Sequence, residues 1–217
     1  MIHRWTIPLF LILSVLAVRA PALEFSEIES RHFTIKFGET LSAREAHETA
    51  DTLEAAYEKM EALLGGAGTK PIDVVIFART GDFTAETGLP AWSASAMIDG
   101  AIYMQPVGVL AARDVLETTI RHEVCLVLFF RRYGGGIPPW LAEGLAVYHA
   151  GEIETIRRGL SGSRPPITGP ADIDALLLDR DDRQKNRWGY VLAYEAARSI
   201  MEGNVVVQAR KKGARDH

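Results

Sequence analysis

Two stretches decide the fold of this chain. They are Arg121-His122-Glu123-Val124-Cys125-Leu126 and Pro139-Trp140-Leu141-Ala142-Glu143-Gly144-Leu145-Ala146-Val147-Tyr148, separated by the glycine run at 134–136. The first lies in a helical pattern over about 110–133, with Ile120, Val124, Leu126, Val127, Leu128, Phe129 and Phe130 around the polar pair. Pro138-Pro139 opens the second helix, since proline is tolerated in a first turn, and the pattern runs to about 158. Leu141, Ala142, Leu145, Ala146 and Val147 make that helix apolar nearly all round, which predicts burial. A carboxylate or imidazole on a buried helix must be paired, hydrogen-bonded or bound to a metal, because burying it alone is costly. His122, Glu123 and Glu143 are therefore expected to converge on one point.

Upstream of this pair the pattern is mostly strand. Residues 32–37 alternate with Phe33, Ile35 and Phe37 on one face, and 71–77 form a β-branched, central strand. Between them, 41–64 read as a long amphipathic helix. Ala46, Ala50, Leu53, Ala56, Tyr57, Met60 and Leu64 recur at spacings of three and four, and Gly65-Gly66 stops it. Residues 78–92 read as a loop, and 95–104 as a hairpin turning at Asp99-Gly100. Downstream, a loop over 159–170 leads to helices near 171–179 and 186–202. Strands first and helices after predict an α+β fold: a small mixed sheet with one long helix, followed by a helical half.

Composition bounds the rest. The 217 residues carry 24 Lys+Arg against 28 Asp+Glu, a formal net charge of −4, and 47% of them are hydrophobic. This is a globular profile without the basic face that nucleic-acid binding needs. The single cysteine excludes an internal disulfide framework. Residues 1–22 read as a secretory signal peptide: Arg4, an apolar run of 14 residues over 5–18, then Ala20-Pro21-Ala22 before a cleavage site. That run is shorter than the about 20 residues of a bilayer span, so no stable membrane anchor is expected after cleavage. The expected organisation is a signal peptide at 1–22, one domain at 23–203 and a basic, disordered tail at 204–217. The setting is the periplasm, cell envelope or exterior.

The polar trio suggests zinc. In a His-Glu-x-x-His helix two histidines share a face and bind the metal, while the glutamate activates water. A glutamate from the following helix completes the ligand set, and Glu143 stands 21 positions after His122. Together, Arg121-His122-Glu123 and the Pro-Trp-Leu-x-Glu-Gly-x-Ala stretch resemble the peptidase MA-like domain of the gluzincin zinc metallopeptidases, over about 32–201. The resemblance implies His122 and Glu143 as zinc ligands, Glu123 as general base, and a peptide or protein substrate. It also implies that the hairpin strand at 101–104 borders the cleft, where an exposed strand edge can pair with an extended peptide.

One position departs from the family. Where the second histidine stands, this chain has Leu126. Cys125, three after His122, offers a thiolate as substitute third ligand; the opposing reading is a small buried hydrophobe. Two functional expectations follow. The first is an exported zinc metallopeptidase that hydrolyses peptide bonds. The second is a catalytically inactive pseudo-peptidase that binds peptides or a partner protein in the old cleft. In a purely structural alternative, Glu143 and Glu123 pair with Arg121 or Arg131. Tyr190 and Tyr194 on a late helix are candidates for oxyanion stabilisation or for core packing, while His32, His47 and His149 are expected to be solvated.

Overall fold

A computed structural model describes residues 24–65, 68 and 70–203. The expected signal peptide and basic tail lie outside the described residues. Phe25–Glu29 (β1), Phe33–Gly38 (β2), Ile72–Ile76 (β3), Ser95–Ile98 (β4) and Ala101–Met104 (β5) form one mixed sheet in the order β1-β2-β3-β5-β4. β2, β3 and β5 run parallel, and the outer strands β1 and β4 are antiparallel to their neighbours. Alternation sets the buried face. Phe33, Ile35, Val74, Ile76, Ile102 and Met104 point inward, whereas Lys36 and Asp73 point to water.

The long helix α1 (Ala43–Leu64) covers the inward face with Ala46, Ala50, Leu53, Ala56, Tyr57 and Met60. Ser42 and Glu45 start it with reciprocal hydrogen bonds, a capping box. The other side of this core is α4 (Leu116–Tyr133), which buries Ile120, Val124, Val127 and Leu128 in the same cluster. The fold is thus α+β, as the sequence predicts: a small mixed sheet with a long helix, then a helical half.

Four expectations are corrected. β1 was not expected; its exposed FSEIE pattern carries little hydrophobic signal, and it is held by pairing with β2. The stretch read as a loop contains the helix α2 (Thr80–Thr87), which buries only Phe83. The helix expected over 110–133 is two, α3 (Val107–Ala112) and α4, interrupted where Asp114 takes a positive φ of 56°. The helix expected from 139 to 158 also breaks, into α5 (Pro139–Ala150) and α6 (Ile153–Arg158). Gly151 adopts the left-handed conformation between them and donates to the Val147 carbonyl, a common helix stop. The chain closes with α7 (Pro170–Leu177) and α8 (Arg183–Met201). Among the described residues no helix is long and apolar enough to cross a membrane.

Candidate functional site

The central helices are locked by their own sequence. At the start of α5 Pro138 offers no side-chain cap, and the free Trp140 N–H is taken by Asp174 Oδ1 of α7 at 2.8 Å. The Trp140 ring packs against Ile173, Leu192 and Ala193. One turn on, Gly144 faces α8 so closely that a Cβ there would overlap the Ala193 carbonyl oxygen and sit 2.9 Å from Ala197 Cβ. The Trp-Leu-x-Glu-Gly stretch is therefore the docking surface of α5 on α7 and α8. Glu143, about 100° round the helix from Gly144, reaches toward His122 of α4.

His122 and Glu143 meet as expected: Nε2 lies 3.0 Å from Glu143 Oε2. The other ring nitrogen, Nδ1, lies 2.5 Å from Oε1 of Glu152, a residue that sequence reasoning missed. Glu152 follows the Gly151 turn, and reading α5 as continuous to 158 concealed it; Gly151 itself was the available signal. Arg121 Nε donates to the Ala150 carbonyl at 3.1 Å and fastens that turn to α4. The imidazole, 7% exposed, is thus held between two carboxylates. Burial disfavours its charged form, yet the charge of Glu152 and hydrogen bonds to both glutamates outweigh this and raise the His122 pKa well above the ordinary range. As imidazolium it donates from both nitrogens.

Glu123, next along α4, looks the other way. Its Oε1 accepts from Ser95 Oγ of β4 at 2.5 Å, while Oε2 is buried with no hydrogen-bond partner. Burial, only partly offset by His122 and Ser95, pushes its carboxyl up to about 7. Ser95 was also missed, since a serine in a short strand carries no distinguishing pattern. Cys125 is fully buried in the core cluster; burial, then the nearby Glu143 and Glu152 charges, raise its thiol and keep it protonated. Leu126 is 8% exposed and packs in the same cluster.

Of the two tyrosines only Tyr190 joins the site. Its ring centroid is 6.1 Å from that of His122, and Glu143, followed by burial, raises its hydroxyl well above the usual range. Tyr194 instead stacks on Tyr148 beneath Arg157. The alternative ion pairs of Glu143 and Glu123 do not form. Arg121 goes to Glu117 and the Ala150 carbonyl, and Arg131 to the carbonyls of Lys70 and Pro71. His32 is not solvated either: it stacks on Tyr57 and its Nδ1 lies 2.6 Å from Glu54. His47 is exposed, as expected, with Nδ1 near the Ala43 carbonyl, and His149 is half-buried against Tyr148.

A cleft of about 390 Å³ opens above these groups; Ser95, Thr119, His122, Glu123, Glu152 and Tyr190 line its inner part. Its sheet-side wall is formed by residues 92–95, leading into β4. The strand expected there, β5, is enclosed between β3 and β4 and does not reach the cleft. The donor set does not fit a catalytic zinc ion. His122 and Glu143 supply two donors facing one point, but such an ion takes three protein ligands, and Leu126 puts hydrocarbon at the third. Among the described residues no three His, Cys, Asp or Glu side chains are grouped to hold a metal. The sequence matches no protein-family model and no curated protein.

Proposed function

We propose that this chain is an exported relative of the gluzincin peptidases, with a peptidase MA-like scaffold, whose cleft binds a peptide or protein segment without cutting it. One observation carries the reading. The helix that would present two imidazoles to a metal presents one, with Leu126 in the place of the other, and His122 is engaged at both nitrogens by Glu143 and Glu152. The ancestry is supported by the spacing of His122, Glu123 and Glu143. It is supported also by Glu152, since a metal-bound histidine ordinarily donates its second N–H to a carboxylate. What persists after loss of a ligand is the cleft, whose volume is in the range of binding sites.

A second reading, a zinc-dependent peptidase, is favoured by Glu123. Its carboxyl, pushed up to about 7, belongs to a residue that lines the cleft and is poised to accept a proton near neutrality. In that reading His122 and Glu143 would hold the ion, and Cys125, buried in the core with its thiol protonated, would have to turn toward them and lose its proton to be the remaining donor.

The two are separated on untagged chain lacking residues 1–22, equilibrated with zinc and passed through a desalting column. Metal content is read by mass spectrometry, turnover with a quenched fluorogenic peptide, and binding by anisotropy of a labelled peptide. Binding without stoichiometric zinc or turnover supports the first reading. Zinc-dependent cleavage that Glu123→Gln abolishes would replace it with the second.

A further inference from the structure

The outer part of the cleft differs in charge from its floor. Arg113 at the end of α3, Arg180 before α8, and Arg183 and Arg187 on the first turns of α8 all line it. None forms an ion pair with a carboxylate among the described residues. Arg113 donates to the Ala91 carbonyl at 3.3 Å, Arg180 to the Gly88 carbonyl at 3.2 Å, and Arg187 to the Gly159 carbonyl. The Arg183 side chain makes no hydrogen bond among them. Backbone carbonyls therefore hold three guanidinium groups in place without neutralising them. Of the three aspartates in this segment, Asp179, Asp181 and Asp182, only Asp179 lines the cleft; it is engaged by Lys185 at 3.7 Å and by the backbone N–H groups of Asp181 and Asp182, while Asp182 accepts from the backbone N–H groups of Gln184 and Lys185.

Such a cluster is not what the composition supplies by default. The chain has more acidic than basic residues, and several exposed arginines elsewhere on it pair with glutamates: Arg31 with Glu58, Arg44 with Glu48, Arg164 with Glu195. Four like charges around one opening repel each other unless a ligand meets them; the proximity of Arg183 adds to burial in lowering the Arg187 pKa. Guanidinium forks match carboxylates in shape and charge.

We infer that the cleft selects acidic segments: Arg113, Arg180, Arg183 and Arg187 form a rim that receives the carboxylates of an Asp- or Glu-rich peptide whose neighbouring residues enter beside His122. This rests on the reading of the cleft as a peptide-binding site and adds the chemistry of the partner. The spacing suits it. Arg187 and Arg183 precede Tyr190 on α8 by three and seven residues, about 4.5 and 10 Å along the axis at 1.5 Å per residue. An extended peptide rises about 3.3 Å per residue, so a carboxylate one to three residues from the segment beside Tyr190 falls within reach of a guanidinium.

The test uses chain lacking residues 1–22 and two fluorescein-labelled decapeptides, one alternating alanine with glutamate and one alternating alanine with glutamine, read by anisotropy. The glutamate peptide is expected to bind at least about tenfold more tightly, with affinity falling steeply between 50 and 300 mM salt. Arg113→Gln with Arg183→Gln, both at exposed positions, should weaken it by about five- to tenfold and leave the glutamine peptide unchanged. The single Arg183→Glu, with a thermal melt to confirm folding, should do at least as much. Equal affinity for the two peptides, or indifference to both variants, overturns the acidic preference and leaves peptide binding standing. Failure of both peptides to bind overturns both readings.

Discussion

Glu152 Oε1 lies 2.5 Å from Nδ1 of His122, thirty positions earlier in the chain, and this contact orients the imidazole at the cleft floor. It joins α4 to the turn after α5, beside the Arg121 bond to the Ala150 carbonyl, so one carboxylate serves both the geometry of the site and the packing of the helical half. Glu152→Ala leaves a buried imidazole nitrogen without its partner and should cost about 2 kcal/mol. Glu152→Gln, which keeps an acceptor, should cost less. Urea unfolding of the two variants beside the parent chain checks the order.

Leu126→His places a second imidazole one helical turn after His122 and tests the proposed ancestry. The variant should bind about one equivalent of zinc where the parent does not, measured by isothermal titration. Without metal it should be less stable than the parent by about 1–3 kcal/mol, since a polar ring then replaces buried hydrocarbon. A variant that folds but takes up no zinc would count against zinc-peptidase ancestry.

Gly144→Ala tests the docking of α5 on α8. The added methyl meets the Ala193 carbonyl and Ala197 Cβ, so the helices must separate, at about 3 kcal/mol or more. A melting temperature within two degrees of the parent would show that α5 and α8 are not in close contact.

Glu123→Gln should stabilise the fold at high pH. The folded carboxyl sits at about 7 against an ordinary 4.5, so between those values the folded state holds a proton that the unfolded state has lost. Stability therefore falls as pH rises through that window, and it stays low above 7. Glutamine removes the titration: the variant should match the parent near pH 4 and exceed it by on the order of 2 kcal/mol at pH 8. Thermal melts at the two pH values supply the comparison.

The fold was legible wherever a face repeats. The α1 stripe from Ala46 to Met60 and the alternation of Phe33, Ile35 and Phe37 both emerge as read, because burial on one side imposes a period. Elements without a buried face were lost. β1 is exposed at four of its five residues, and α2 contributes Phe83 alone. In the site, His122 and Glu143 were legible because polar groups on apolar helices need partners. Glu152 and Ser95 were not, since each arrives from a turn or strand of unremarkable sequence and is joined to the site only by tertiary geometry.

The only cysteine lies at the middle of α4, fully buried, with its thiol kept protonated. The native chain should consequently be inert to thiol reagents, whereas any opening that lifts α4 off the sheet uncovers a single reactive sulfur. Maleimide uptake then becomes a stopwatch for that opening, built into the molecule without a label. The same chemistry places a hazard early in the life of the chain: until α4 docks, its sulfur can couple to another molecule, and folding itself is what ends the exposure.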